Sequence, residues 1–281
     1  MAEKSDDKVI GVASSSFTHS ATSLYYKYLE ARLDPGYVLK PIQFFHRQFY
    51  KETLKLRSFL ENSRPYALIC ICVKPEKHLL ELYRSAGVPV VLVDETVEGF
   101  ISVSTDNEAG GYMAGEYLIK LGRKRLGMVS GRRRVKGSFT ADLRFAGFLK
   151  ALMKYDMKFT EEDLVEVPNY SYTDGIQAAK QLLNSDRKLD AIFCPAGDIC
   201  AAGIIKLAVE MGVKIPEQVA LFGYDDIELA GLTRPALTTI KQPMEQMIIK
   251  AYETVIFDRD AALSQARPII FQPELIKRES A

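Results

Sequence analysis

Short apolar, β-branched runs alternate with amphipathic helical stretches along nearly the whole chain, and this alternation constrains the fold more than any other feature. KVIGVAS (Lys8–Ser14) reads as a strand. ATSLYYKYLEARL follows and places Leu24, Tyr25, Tyr28 and Leu29 on one helical stripe, which Pro35-Gly36 ends. YVLKPIQF is a weaker strand, and QFYKETLKLRSFLENS is an amphipathic helix that stops before Pro65. YALICICV is a fully buried strand, a short helix starts at Pro75, and VPVVLVD is the next strand. A β-α-β-α-β run of this kind predicts a parallel sheet with helices on both faces.

A second such run occupies the middle of the chain. NEAGGYMAGEYLIKLG is a helix ending at Gly122, followed by the strand RLGMVSG and the helix FTADLRFAGFLKALMKY. DLVEVPN, DAIFCPAG and VALFGYD are strands, separated by the helices SYTDGIQAAKQLLNS and DICAAGIIKLAVEMG. The pieces left over, ALTTIKQP, MEQMIIKAYETVIF and RPIIFQPELIKRE, imply that the chain recrosses from one lobe to the other. The expected fold class is therefore α/β, two doubly wound parallel-sheet lobes joined by several crossovers. The expected boundaries are 8–122 plus 243–265 for the N-terminal lobe and 123–240 plus 268–278 for the C-terminal lobe. A length of 281 residues suits two lobes. Ligands of open parallel sheets bind at the carboxyl ends of strands, so a cleft between the lobes is the expected place for one.

Composition narrows the function. Hydrophobic residues make up 47% of the chain, enough for two full cores. The formal net charge is +1, which argues against a nucleic-acid surface spread over the whole chain. Cys70 and Cys72, like Cys194 and Cys200, form no C-x-x-C pair, and there are three histidines, His19, His46 and His78. No structural zinc pattern results, and no cofactor or metal is expected. Buried thiols fit a reducing, cytoplasmic setting. The N-terminus has no signal-peptide core, and no stretch approaches the ~18 apolar residues of a membrane span.

Candidate binding groups gather at strand ends. Asp225 and Asp226 close the strand VALFGYD, where a carboxylate accepts hydrogen bonds from ligand hydroxyls or amines; capping of the helix DIELAGL is the alternative. As a glycosidase pair they are poorly placed, because neighbours on a strand point to opposite faces. Gln242 ends ALTTIKQP and offers an amide that donates and accepts, or serves as a polar crossover residue. Arg144, beside Leu143 and Phe145, carries a fork suited to a hydroxyl pair, carboxylate or phosphate, unless it lies on a solvated face. SSSFTHS (Ser14–Ser20) puts hydroxyls, the Phe17 ring and His19 in one strand-to-helix loop, though Ser20 or Thr22 could simply cap the helix. No G-x-S-x-G elbow is present. GRRRVKGS (Gly131–Ser138) fails the Walker order because Lys136 precedes Gly137, which leaves a solvated basic loop or, as the lesser alternative, a contact for an anionic ligand group. Tyr170 and Tyr172 offer faces for a sugar ring or for packing. No constellation of base, nucleophile and metal emerges, so an enzyme is not expected.

Taken together, DAIFCPAGDICAAGIIKLAVEMGVKIPEQVALFGYDDIELAGLTRPALTTIKQP resembles the signature region of LacI/GalR-family regulators. STDNEAGGYMAGEYLIKLGRKRLGMVSG, ADLRFAGFLKAL and KVIGVASSSF resemble other parts of the same core, so the similarity runs over about residues 8 to 278. It implies the type I periplasmic-binding-protein fold and an effector bound between the lobes. It also implies Ser15, Phe17, Arg144, Tyr170, Asp225 and Gln242 as ligand-binding residues. One departure is Gly197-Asp198 where many members carry Asn-Asp, which puts simple hexose recognition in doubt. The family's repressors place a helix-turn-helix before the first core strand, whereas only eight residues precede Val9 here. The expectation is the sensing core of a longer regulator: a homodimer that answers a small-molecule effector and reaches operator DNA only through an N-terminal domain absent from this chain. A solute-binding protein for sugar uptake is the alternative.

Overall fold

The computed structural model describes residues 7–17, 20–44, 49–134, 139–184, 188–264 and 267–281. His19, His46 and the Lys136–Ser138 end of the basic loop lie outside the described residues. Two compact α/β units form, Met1–Thr105 with Pro243–Phe271 and Asp106–Gln242 with Gln272–Ala281.

The chain begins in the first unit with Lys8–Ser14 (β1), Ser20–Arg32 (α1), Tyr37–Gln43 (β2), Phe49–Ser63 (α2), Ala67–Ile71 (β3), Lys77–Ser85 (α3), Val90–Val93 (β4) and Ile101–Thr105 (β5). The second unit follows as Asn107–Lys120 (α4), Leu126–Gly131 (β6), Phe139–Lys154 (α5), Leu164–Val167 (β7), Tyr172–Leu183 (α6), Ala191–Phe193 (β8), Asp198–Glu210 (α7), Ala220–Asp225 (β9), Glu228–Leu232 (α8) and Thr238–Lys241 (β10). Met244–Phe257 (α9), Arg259–Ser264 (α10) and Pro268–Phe271 (β11) return to the first unit, and Glu274–Ile276 (β12) to the second.

The first sheet has the order β11-β5-β4-β3-β1-β2 and is parallel throughout. Period-two alternation sends its side chains to opposite faces. Ile10, Val12, Ile69, Ile71, Val91 and Val93 pack under Tyr25 and Leu29 of α1 and Ile248 and Tyr252 of α9. Ala13, Leu68, Cys70, Val90 and Leu92 pack under Leu56, Leu79, Leu80 and Tyr83 on the other side. Both faces are covered, which is why these strands read as continuous apolar runs. The second sheet, β12-β10-β9-β8-β6-β7, is parallel except for the antiparallel edge strand β12. Helices α6 and α7 cover one face through Ala178, Leu182, Cys200 and Ile204. Helices α4 and α5 cover the other through Ala114, Leu118, Phe148 and Leu152.

Three expectations are corrected here. Strand β5 was not anticipated; ISVST pairs in parallel with both β4 and β11. Residues 268–271, expected in the C-terminal lobe, are strand β11 of the first sheet. Helix α4, expected to close the N-terminal lobe at residue 122, belongs to the second unit, which begins at Asp106. The reason is close helix packing. Gly111 of α4 lies so near α5 that a Cβ would overlap the Arg144 carbonyl oxygen, and a Cβ on Gly147 of α5 would overlap the Glu108 carbonyl oxygen of α4. Two glycines facing each other across the pair let the backbones touch. Asp106 fixes the start of α4 by accepting from the Ala109 N–H at 2.9 Å.

This contact predicts that Gly147→Ala lowers the unfolding free energy by about 1–3 kcal/mol, because a methyl group there must push two backbones apart. Urea denaturation measures it; unchanged stability would mean that α4 and α5 are not in backbone contact.

Candidate functional site

The carboxyl ends of β9 and β10 and the turn after β8 carry several buried polar side chains, among them Asp198, Asp225, Thr239 and Gln242. Strand β9 ends in Tyr224-Asp225, and β10 pairs with it in parallel with Lys241 opposite Asp225. That register brings the next residue, Gln242, alongside. Its amide Nε2 donates to Asp225 Oδ1 at 2.6 Å. Asp225 is 8% exposed and Gln242 6%. The Gln242 Oε1 atom is buried and has no hydrogen-bond partner among the described residues. Asp225 itself has a positive φ of 109°, a backbone conformation that a non-glycine residue keeps only when its surroundings enforce it.

Neither aspartate caps α8. That helix starts after Ile227 without a side-chain cap. Asp226 instead forms an ion pair with Arg278, whose Nη2 donates at 2.7 Å. The support for the turn comes from Asp198, a residue the sequence did not single out as functional. It is 1% exposed. Thr239 Oγ1 donates to its Oδ1 at 2.7 Å, and the Ile227 N–H donates to its Oδ2 at 3.0 Å. Burial, and then the neighbouring Asp225, push the Asp198 carboxyl up from its ordinary range, while the two donors pull it back. The available signal was its position at the first residue of α7, directly after a glycine.

Gly197 explains the departure from Asn-Asp. Its φ is 103°, and a Cβ there would stand 2.8 Å from Asp225 Oδ2. A side chain at this position would be strained and would crowd the carboxylate; glycine leaves that flank of Asp225 open.

Arg144 is not on a solvated face. It is 8% exposed and lies across the Tyr224 ring, 3.7 Å from the ring centroid. Its Nε donates to Asn107 Oδ1 at 2.7 Å and its Nη1 to the Pro195 carbonyl at 2.9 Å. The Tyr224 hydroxyl also donates to Asn107 Oδ1, at 3.3 Å. Asn107, Pro195 and Tyr224 thus hold the guanidinium against the β9 strand end, and none of the three was anticipated. Tyr170, at φ 58°, packs against the core under α6 and α7, with its hydroxyl filling the space above Gly131. The basic loop is not wholly solvated: Arg133 is buried, stacks 3.7 Å from the Phe145 ring centroid and donates to Glu166 at 2.8 Å. Ser15 and Phe17 belong to the first unit. Phe17 meets Tyr26 edge-on at 5.3 Å, and Ser15 is half-buried in the loop after β1.

The structure therefore joins Asp225 to Gln242 directly and sets Arg144 on the ring of the residue before Asp225. The set comprises the acceptors Asp225 and Gln242 Oε1 and a guanidinium stacked on the neighbouring Tyr224 ring. Among the described residues no group of three His, Cys, Asp or Glu side chains could hold a metal ion, and no helix is long and apolar enough to cross a membrane.

Two mostly parallel α/β units with polar side chains at their strand ends define the type I periplasmic-binding-protein-like class. Residues 116–281 match the periplasmic binding protein-like domain, and the chain belongs to that family. The HTH-type transcriptional repressor PurR of Pectobacterium carotovorum is 34% identical over 229 residues, covering 79% of this chain and 65% of that protein. The chain thus spans less than two thirds of the length of this curated relative. Among solved structures, a putative transcriptional regulator LacI from Bacillus cereus subsp. cytotoxis superposes with a TM-score of 0.87 at 20% identity over 98% of both chains. A LacI family transcriptional regulator from Enterococcus faecium with bound ribose superposes with a TM-score of 0.81 at 24% identity, again over 98% of both.

The Asp198 cradle predicts that Thr239→Val costs about 1–3 kcal/mol, since it strips a donor from a buried acid, whereas Thr239→Ser, which keeps the hydroxyl, costs less. No loss in Thr239→Val by urea denaturation would show that the hydrogen bond to Asp198 contributes nothing.

Proposed function

We propose that the chain is the effector-sensing and dimerisation core of a LacI-family transcriptional regulator, and that its ligand is a sugar or related small metabolite held at the carboxyl ends of β9 and β10. The observation that carries this reading is the Asp225–Gln242 pair, buried at a strand end beside Gly197, with an amide oxygen left without a partner among the described residues. A buried acceptor without a donor is costly, and a ligand hydroxyl supplies one.

Each proposed contact follows from its chemistry. Asp225 accepts from a pair of hydroxyls or an amine, as strand-end carboxylates do. Gln242 fixes the carboxylate and accepts a further ligand donor. Arg144, stacked on Tyr224, faces ligand oxygen. Tyr170 offers an aromatic face, and Ser15 and Phe17 are proposed as the first unit's ligand-contacting residues. The ribose bound to the Enterococcus faecium neighbour supports a polyhydroxylated ligand. In the whole protein, a DNA-reading domain ahead of this core would bind operator DNA as a homodimer in the cytoplasm. The effector would act by differential affinity for two conformations, a coupling typically of about 1–3 kcal/mol. Catalysis is not part of this reading.

The test is a thermal-shift screen of sugars, sugar phosphates, nucleosides and purines on the wild type and on Asp225→Ala. The expected result is at least one compound that raises the wild-type Tm in a concentration-dependent way, with the shift lost in the variant. A folded wild type that answers to nothing, or a hit that is equal in the variant, would contradict the assignment of Asp225.

A further inference from the structure

The first unit contains a buried acid that the proposed ligand contacts do not use. Glu95 follows β4 at its carboxyl end, directly after Asp94. It is 2% exposed and Asp94 is 4% exposed. Asp94 is engaged: the Tyr25 hydroxyl of α1 donates to its Oδ2 at 2.5 Å. Glu95 is served less well. One of its oxygens, Oε2, is buried without a hydrogen-bond partner among the described residues. Two charged groups act on it: the ammonium of Lys74, from the β3–α3 connection, and the carboxylate of Asp94; the Thr96 backbone N–H also donates to it. Lys74 is half-buried and sits close enough to oppose the burial cost of the Glu95 charge. An ionised carboxylate kept from water with half its acceptor capacity unused is costly, and the cheapest remedy is a proton.

We propose that Glu95 is a proton-linked switch residue: the native first unit holds a proton on this buried carboxyl at pH values where the unfolded chain has already lost it, so the unit loses stability as pH rises through that range. This goes beyond the effector reading and does not depend on which ligand the second unit takes. Burial moves the Glu95 carboxyl up to about 7, with Asp94 adding to the rise and Lys74 opposing it. The sign follows from linkage. Between the ordinary glutamate range and about 7 the unfolded chain has lost this proton while the native chain retains it, so stability falls as pH rises through that window and is flat above it. The residue acts as a brake that mild acid releases.

The test uses the whole chain and two readouts. In chain labelled with 13C at the glutamate side-chain carboxyls, the expected result is one resonance with a midpoint above about pH 6 that is missing from Glu95→Gln. Where Glu95→Gln fails to fold, Glu95→Asp serves for the assignment. No glutamate midpoint above about pH 5.5, or a high midpoint that persists in the variant, would overturn the proposal. In urea denaturation, the ratio of wild-type to Glu95→Gln folding constants should fall roughly 100-fold from pH 4.5 to pH 8. Parallel pH profiles for the two chains would equally overturn it.

Discussion

The register between β9 and β10 is the constraint on which the second unit's site depends. Pairing Lys241 with Asp225 puts Gln242 within 2.6 Å of the Asp225 carboxylate. The same register sets Thr239 opposite Gly223, where its hydroxyl reaches Asp198. Gly223 is small enough for this; a Cβ there would collide with the Asp198 carboxylate and with Leu237. A slip of one residue would reverse both sets of side chains. Two polar pairs, Asp225–Gln242 and Asp198–Thr239, therefore come from a single backbone alignment.

Around that alignment, buried polarity is almost fully assigned to partners. Arg144 is held by an amide oxygen, a backbone carbonyl and a ring, Asp198 by a hydroxyl and a backbone N–H, and Asp226 by Arg278. Such networks make geometry specific because each member left unpaired is expensive. The few atoms left over are informative for the same reason. Gln242 Oε1 in the second unit and Glu95 Oε2 in the first are buried without partners among the described residues, both at strand carboxyl ends. The first carries the proposed ligand contact and the second the proposed proton.

Much of this was legible in the sequence, and what was missed has physical causes. The β-α alternation is a local signal, so the two-sheet architecture and most elements could be read from periodicity. Asp225 and Gln242 could be found because each ends an apolar run. Strand β5 escaped because ISVST mixes serine and threonine into a run buried on both faces. The boundary at Asp106 escaped because the partner of the Gly111 face of α4 is Arg144 and Gly147 on α5, a contact that local pattern does not encode. Asp198 looked like an ordinary first-turn acid, and its role depends on Thr239, 41 residues away. Arg133 looked like one charge among several in a basic loop, yet the ring of Phe145 buries it.

The central claim is that ligand is recognised at the carboxyl ends of β9 and β10. The most direct measurement is an amide chemical-shift map of 15N-labelled chain titrated with D-ribose and the other compounds of the panel. The account predicts that the largest shifts fall on residues 196–198, 224–227 and 241–242. Shifts confined to another surface, such as the groove along α2 lined by Leu54, Lys55, Ser58 and Phe59, would contradict it.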